Sequence, residues 1–97
     1  MADYLVTYDV ETETKAGRRR LRRVARACAD FGQRVQLSVF EIRIDDTRLE
    51  ELVARLAREI DDSRDSVRIY RLPSDRSTAV RVFGIDTWRD LDEPMVI

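Results

Sequence analysis

Two periods alternate along the chain. Tyr4-Leu5-Val6-Thr7-Tyr8-Asp9-Val10 is rich in β-branched and aromatic residues and predicts a strand. It is almost continuously apolar until Asp9, so it is expected to be covered on both faces, as a central strand would be. Residues 18 to 31 change to a helical period. Leu21, Val24, Ala25, Cys28 and Phe31 form one apolar stripe, and Gly32 stands where a left-handed helix cap is common. Gln33 to Ile44 returns to period two and predicts a long second strand. Its phase switches at Val39-Phe40, which predicts a β-bulge or sharp bend. With no Gly or Asn in the run, a hairpin is the poorer reading.

Thr47 and Glu50 match a capping box, with Thr47 as the expected N-cap. Leu49, Leu52, Val53, Leu56 and Ile60 then form the apolar face of a second helix. Ser66 to Leu72 predicts a third strand and Ala79 to Phe83 a short fourth one, ending at Gly84. The fold class expected from these elements is the ferredoxin-like split pattern β-α-β-β-α-β of the α+β class, an antiparallel sheet with two helices on one face, although the elements as bounded above place both the third and the fourth strand after the second helix. That layout leaves the other sheet face bare in one chain, yet the first strand reads as covered on both sides. The expectation is therefore a homodimer packed through the sheet face. Residues 1–84 form the expected domain, and residues 85–97 an acidic, apolar tail. Its Pro94-Met95-Val96-Ile97 end is expected to dock on the dimer mate or a partner, with folding onto its own core as the alternative.

Composition narrows the chemistry. The 97 residues suffice for one domain with a modest core. No apolar run approaches the roughly 18 residues that span a bilayer, so no membrane partner is expected. Met1-Ala2-Asp3 lacks the start of a signal peptide, and a single cysteine, Cys28, forms no internal disulfide; a cytoplasmic location is the expectation. No histidine is present, which excludes a His general base.

The net charge of −1 hides a strong local asymmetry. Between Lys15 and Arg34 stand eight basic residues against one acid, Asp30. Arg19, Arg22, Arg23 and Arg26 fall opposite the apolar stripe of the first helix. Arg18 and Arg20 flank that stripe near Asp9, and Arg34 follows the helix. Arginine's planar fork suits phosphate, and a carboxylate at a strand end can hold a divalent cation. The competing structural readings are an ordinary solvated helix face for the arginines and a turn or cap for Asp9.

Tyr8-Asp9, the Arg-rich first helix, Phe31-Gly32-Gln33-Arg34-Val35-Gln36-Leu37-Ser38-Val39-Phe40-Glu41 and Asp65-Ser66-Val67-Arg68-Ile69-Tyr70-Arg71-Leu72 together resemble the CRISPR-associated protein 2 family. The resemblance runs over about residues 4 to 84. It implies a ferredoxin-like homodimer that bridges dimers of the CRISPR-associated integrase during spacer acquisition. It also implies a magnesium-dependent endonuclease acting on RNA or DNA, with Mg²⁺ or another divalent cation held by Asp9 as metal ligand and catalytic residue. Tyr8, Arg18, Arg19, Arg20, Arg22, Arg23, Arg34, Ser38 and Phe40 occupy the motif positions expected to bind nucleic acid. Two other readings stay open: a non-catalytic DNA-binding scaffold, and a toxin-type ferredoxin-like ribonuclease that acts without an integrase.

Overall fold

A computed structural model describes residues 1–90. Four strands form one antiparallel sheet: β1 (Ala2–Asp9), β2 (Gln33–Gln36), β3 (Val39–Ile44) and β4 (Ser66–Arg71). Two long helices, α1 (Lys15–Ala29) and α2 (Asp46–Glu59), and a short one, α3 (Arg76–Ala79), complete the described elements. The sheet order is β2-β3-β1-β4, with β1 antiparallel to both of its neighbours. This is the expected ferredoxin-like α+β fold.

The pleat sends alternate β1 side chains to opposite faces. Tyr4, Val6 and Tyr8 are buried with Phe40, Ile42 and Ile44 of β3, Val24, Ala27 and Cys28 of α1, and Leu52 and Leu56 of α2. Burying one such side chain contributes about 1.5–3 kcal/mol. The exposed Arg23–Glu59 pair between the helices, 3.9 Å apart, contributes about 1 kcal/mol at most. Apolar stripes, not surface charge, therefore hold the helix layer to the sheet.

Several boundaries differ from the sequence expectations. The run from Gln33 to Ile44 is a hairpin, not one bent strand. Leu37 and Ser38 turn the chain, and Tyr8 pins the turn through its backbone N–H to the Ser38 carbonyl (3.1 Å) and its hydroxyl to the Leu37 carbonyl (3.3 Å). No residue but Gly84 has a positive φ among those described, so this turn needs neither Gly nor Asn, and their absence carried no information. The register slips between Arg34 and Gln36, which places the irregularity at Val35, one strand earlier than Val39-Phe40.

Helix α1 begins at Lys15 because Thr14 caps it, its side chain accepting from the Gly17 N–H at 3.0 Å. Helix α2 is capped by Asp45, not Thr47: the Asp45 carboxylate accepts from the Arg48 N–H at 2.8 Å. Gly32 is not a left-handed cap. It is required by close approach, since a Cβ there would run into the Glu41 carbonyl and the Ile42 side chain. The expected strand at Ala79–Phe83 is also absent: Ala79 ends α3, and no described strand pairs with Val80–Phe83.

The second sheet face is partly covered by the chain itself. Arg76 donates to buried Glu41 on β3 (2.8 Å), and its backbone N–H donates to the Asp3 carboxylate (3.3 Å). Trp88 stacks on the Arg76 guanidinium at 4.2 Å. Farther on, the Gln33 side chain exchanges two hydrogen bonds with the Arg89 backbone (2.7 and 2.9 Å), and the Thr87 hydroxyl donates to the Val35 carbonyl (3.0 Å). The C-terminal segment thus lies along edge strand β2 up to residue 90. The apolar end expected to dock, Pro94–Ile97, lies outside the described residues.

Two glycines separate steric from torsional demand. Gly32→Ala is expected to cost about 3 kcal/mol through overpacking against β3. Gly84→Ala meets open space but keeps φ at +84°, and is expected to cost about 1 kcal/mol. Urea unfolding of both variants checks the ranking; equal losses would contradict it.

Candidate functional site

Asp9 is the last residue of β1, and its neighbours Tyr8 and Val10 point into the core. Alternation therefore turns Asp9 to the face away from the helices. The side chain is exposed and, among the described residues, makes no hydrogen bond or ion pair. Across the sheet it pairs with Ser66 of β4.

The backbone around Asp9 is fixed by a buried carboxylate one residue before that partner. Asp65, its side chain wholly inaccessible, accepts from Arg20 Nε (2.7 Å) and Nη2 (3.3 Å), from the Glu11 N–H (3.1 Å) and from the Asp61 N–H (2.8 Å). Arg20 also reaches Glu11 Oε2 at 3.3 Å. Glu11 in turn accepts from the Thr14 N–H (2.6 Å) and hydroxyl (2.8 Å), holding the cap of α1. One ion pair thus ties the end of β1, the start of α1 and the start of β4 together. The Arg20 guanidinium is the main reason the Asp65 carboxyl is held down to about 2 from its ordinary 3.8, with the Asp61 and Glu11 N–H groups adding to it.

The arginines expected to act together are divided among three places. Arg20 is committed to Asp65. Arg18 folds back on the Thr12 and Glu13 carbonyls at 3.1 and 3.4 Å. Arg19, Arg22, Arg23 and Arg26 project from the solvent side of α1. Because α1 packs on the Tyr8 side of the sheet, this outer face is separated from Asp9 by the helix layer and by the sheet itself. Arg34, Tyr8, Phe40 and Ser38 do converge. Arg34 donates to the Tyr8 hydroxyl (3.4 Å), its guanidinium lies 5.2 Å from the Phe40 ring centre, and the Tyr8 and Phe40 rings are 6.2 Å apart. Tyr8 and Phe40 are buried and Ser38 is half-buried, so Arg34 is the most exposed member of this group.

Among the described residues no group of three or more His, Cys, Asp or Glu could hold a metal ion. One chain offers Asp9 alone. That set suits Mg²⁺, which is commonly held by one or two carboxylates with waters and substrate phosphate. It does not suit a closed all-protein site. The Cys28 thiol is no alternative nucleophile: it sits in the core, and burial pushes it up to about 11. Among the described residues no helix is long and apolar enough to cross a membrane.

A family model described as CRISPR associated protein Cas2 matches residues 1–80. The chain belongs to the Cas2 family. Its relatives include a Moorella thermoacetica protein named CRISPR-associated endoribonuclease Cas2 1, 48% identical over 96% of this chain and 97% of that one. A Halalkalibacterium halodurans protein named CRISPR-associated endonuclease Cas2 is 47% identical over 95% and 96% of the two chains. The crystal structure of Streptococcus pyogenes Cas2 superposes with a TM-score of 0.76 at 48% identity, covering 84% of this chain and 99% of that one. The Cas2 resemblance read from the sequence is thereby borne out, and with it the β-α-β-β-α-β frame that carries Asp9.

Sequence reasoning passed over Asp65 and Glu11. Asp65 stood in a motif that supported the family, but an acid just before a strand reads as a turn residue. Only the fold, which brings Arg20 to it from 45 positions away, shows its part.

The Asp65 knot carries a pH signature. Its folded value lies below its unfolded one, so the stabilisation is present above about pH 4 and is lost as pH falls towards 2. Asp65→Asn leaves Arg20 without its main partner and is expected to cost about 3 kcal/mol near neutral pH. It is also expected to flatten the acid limb of the stability curve. Urea midpoints measured between pH 2 and 7 on both proteins check this; an unchanged acid limb would refute it.

Proposed function

We propose that this Cas2 protein is a divalent-cation-dependent endonuclease that serves CRISPR spacer acquisition as a homodimer in the cytoplasm. The carrying observation is the exposed, unpartnered carboxylate of Asp9 on the open sheet face, in a chain whose relatives are named endonucleases and endoribonucleases. Two chains related by a two-fold would bring two Asp9 carboxylates to one site, supplying what one chain lacks. A bound Mg²⁺ supplies an activated water and neutralises charge on the scissile phosphate. The chain's own part is to present Asp9 oxygens as ligands from a rigid strand end. Arginine forks hold the neighbouring phosphates of RNA or DNA. Arg34 is the contact residue of its group. Tyr8, Phe40 and the Ser38 turn act through it, as the stacked support that aims its guanidinium.

The scaffold reading has an observation in its favour. Arg19, Arg22, Arg23 and Arg26 are exposed on the outer face of α1, on the side away from Asp9, with Arg23 beside Glu59 and Arg26 beside Asp30. Phosphate contacts hold nucleic acid without reading its sequence, which suits captured DNA of arbitrary sequence. The two roles divide between the two faces of the protein. On this reading the integrase partner meets a Cas2 dimer whose outer faces hold duplex DNA.

Asp9→Ala is expected to lower Mg²⁺-dependent cleavage by at least about 100-fold while leaving the thermal unfolding midpoint unchanged, since the side chain makes no stabilising interaction. Cleavage by the variant at the wild-type rate would overturn the catalytic reading. Replacing Arg19, Arg22, Arg23 and Arg26 with Gln is expected to weaken duplex binding at all sequences and to reduce the salt slope by about one for each phosphate no longer neutralised. Cleavage at saturating substrate is expected to survive. Filter binding across a salt series, beside the cleavage assay, separates the two faces; an unchanged slope would refute the helix-layer role.

A further inference from the structure

Most arginines expected to serve Asp9 lie elsewhere, which raises the question of which cation shares its face. The β4 register answers it. Asp9 pairs with Ser66, Thr7 with Arg68 and Leu5 with Tyr70. Val67 and Ile69 pack on the core, so Arg68 and Tyr70 stand on the same open face as Asp9. Arg68 is thus the diagonal neighbour of Asp9, at a spacing of about 7–8 Å that long side chains span. A bare Asp and Arg so placed would be expected to pair. They do not: Arg68 Nη1 donates instead to the Tyr70 hydroxyl at 2.9 Å, and Asp9 is left without a partner.

We propose that Arg68 is the phosphate-binding arginine of the Asp9 site and that Tyr70 positions it, holding the guanidinium off Asp9 until a polyanion arrives. The proposal rests on Asp9 being the metal ligand. An arginine paired with Asp9 would compete with a cation for the carboxylate. An arginine resting on a neutral phenol two residues along the same strand keeps the carboxylate open. It remains within reach of a phosphate bound there. Exchanging one neutral acceptor for a phosphate oxygen strengthens its hydrogen bonds, so substrate draws Arg68 across without any change of backbone. Arg68 is a binding residue for the phosphate; Tyr70 acts only through Arg68.

The test uses the full chain with Mn²⁺ as the metal probe and a single-stranded oligonucleotide as the phosphate probe. Tyr70→Phe is expected to free Arg68 to pair with Asp9 and to raise the Mn²⁺ dissociation constant about 3- to 10-fold, read by electron paramagnetic resonance without any turnover. The double variant Tyr70→Phe with Arg68→Gln is expected to restore wild-type Mn²⁺ affinity. Arg68→Gln alone is expected to leave Mn²⁺ binding unchanged and to raise KM for cleavage about 10-fold, with kcat little altered and Arg68→Lys recovering part of the loss. Unchanged Mn²⁺ affinity in Tyr70→Phe, or no restoration in the double variant, would overturn the positioning role. Loss of the dimer on sedimentation of Arg68→Gln but not Arg68→Lys would assign Arg68 to the interface and overturn the phosphate role. Asp9→Ala is run beside these variants. If it binds Mn²⁺ like wild type, the metal reading itself falls; if it loses Mn²⁺ while the Tyr70 and Arg68 variants behave as wild type, only the present proposal falls.

Discussion

The arrangement depends first on the ion pair between Arg20 and Asp65. Its carboxylate accepts from three sources in three chain segments: Arg20 in α1, the Glu11 N–H just after β1, and the Asp61 N–H before β4. A buried charge with a full set of donors fixes geometry more than it adds net stability. Here it fixes where β1 stops and where β4 starts. Those two points define the cross-strand step Asp9–Ser66, and so the setting of the exposed carboxylate. The most basic part of the chain therefore supplies one residue to architecture before it supplies any to binding.

The sheet then divides the remaining chemistry. On one side, apolar side chains of β1 and β3 seat two helices, and the outer face of α1 carries a row of exposed arginines. On the other side stand Asp9, Arg68 and Tyr70 at one end. At the other end Arg76 links Glu41, Asp3 and Trp88, and the segment up to residue 90 lies along β2. A small protein with one layer of helices cannot bury both faces of its sheet. Leu5, Thr7 and Asp9 point to the face that the two long helices leave open, and on the proposed reading a second copy of the chain covers it.

Much of this was legible before the structure. Strand β1 announced itself by β-branched and aromatic residues, and both helices by single apolar stripes, because burial acts on those periods directly. The hairpin was misread because its turn keeps negative φ throughout and so leaves no Gly or Asn to mark it. The strand expected at Ala79–Phe83 was misread because alternation shows only what a strand would bury, while Ala79 ends α3 and no described strand pairs with Val80–Phe83. The cap of α2 shifted from Thr47 to Asp45, since short polar residues competed for that role, and α1 starts at Lys15 behind a Thr14 cap rather than at residue 18. Asp9 was visible as a candidate, but its separation from the α1 arginines was not. Linear proximity placed them together, and the pleat of β1 places them on opposite faces.

The central claim is that the functional carboxylate is completed only when two chains meet. Counting bound Mn²⁺ per chain by isothermal titration, on protein whose mass is followed by sedimentation equilibrium, tests it most directly. The account predicts one ion for every two chains, bound only where the dimer is present and lost in Asp9→Ala. One ion per chain, held equally well by the monomer, would contradict it.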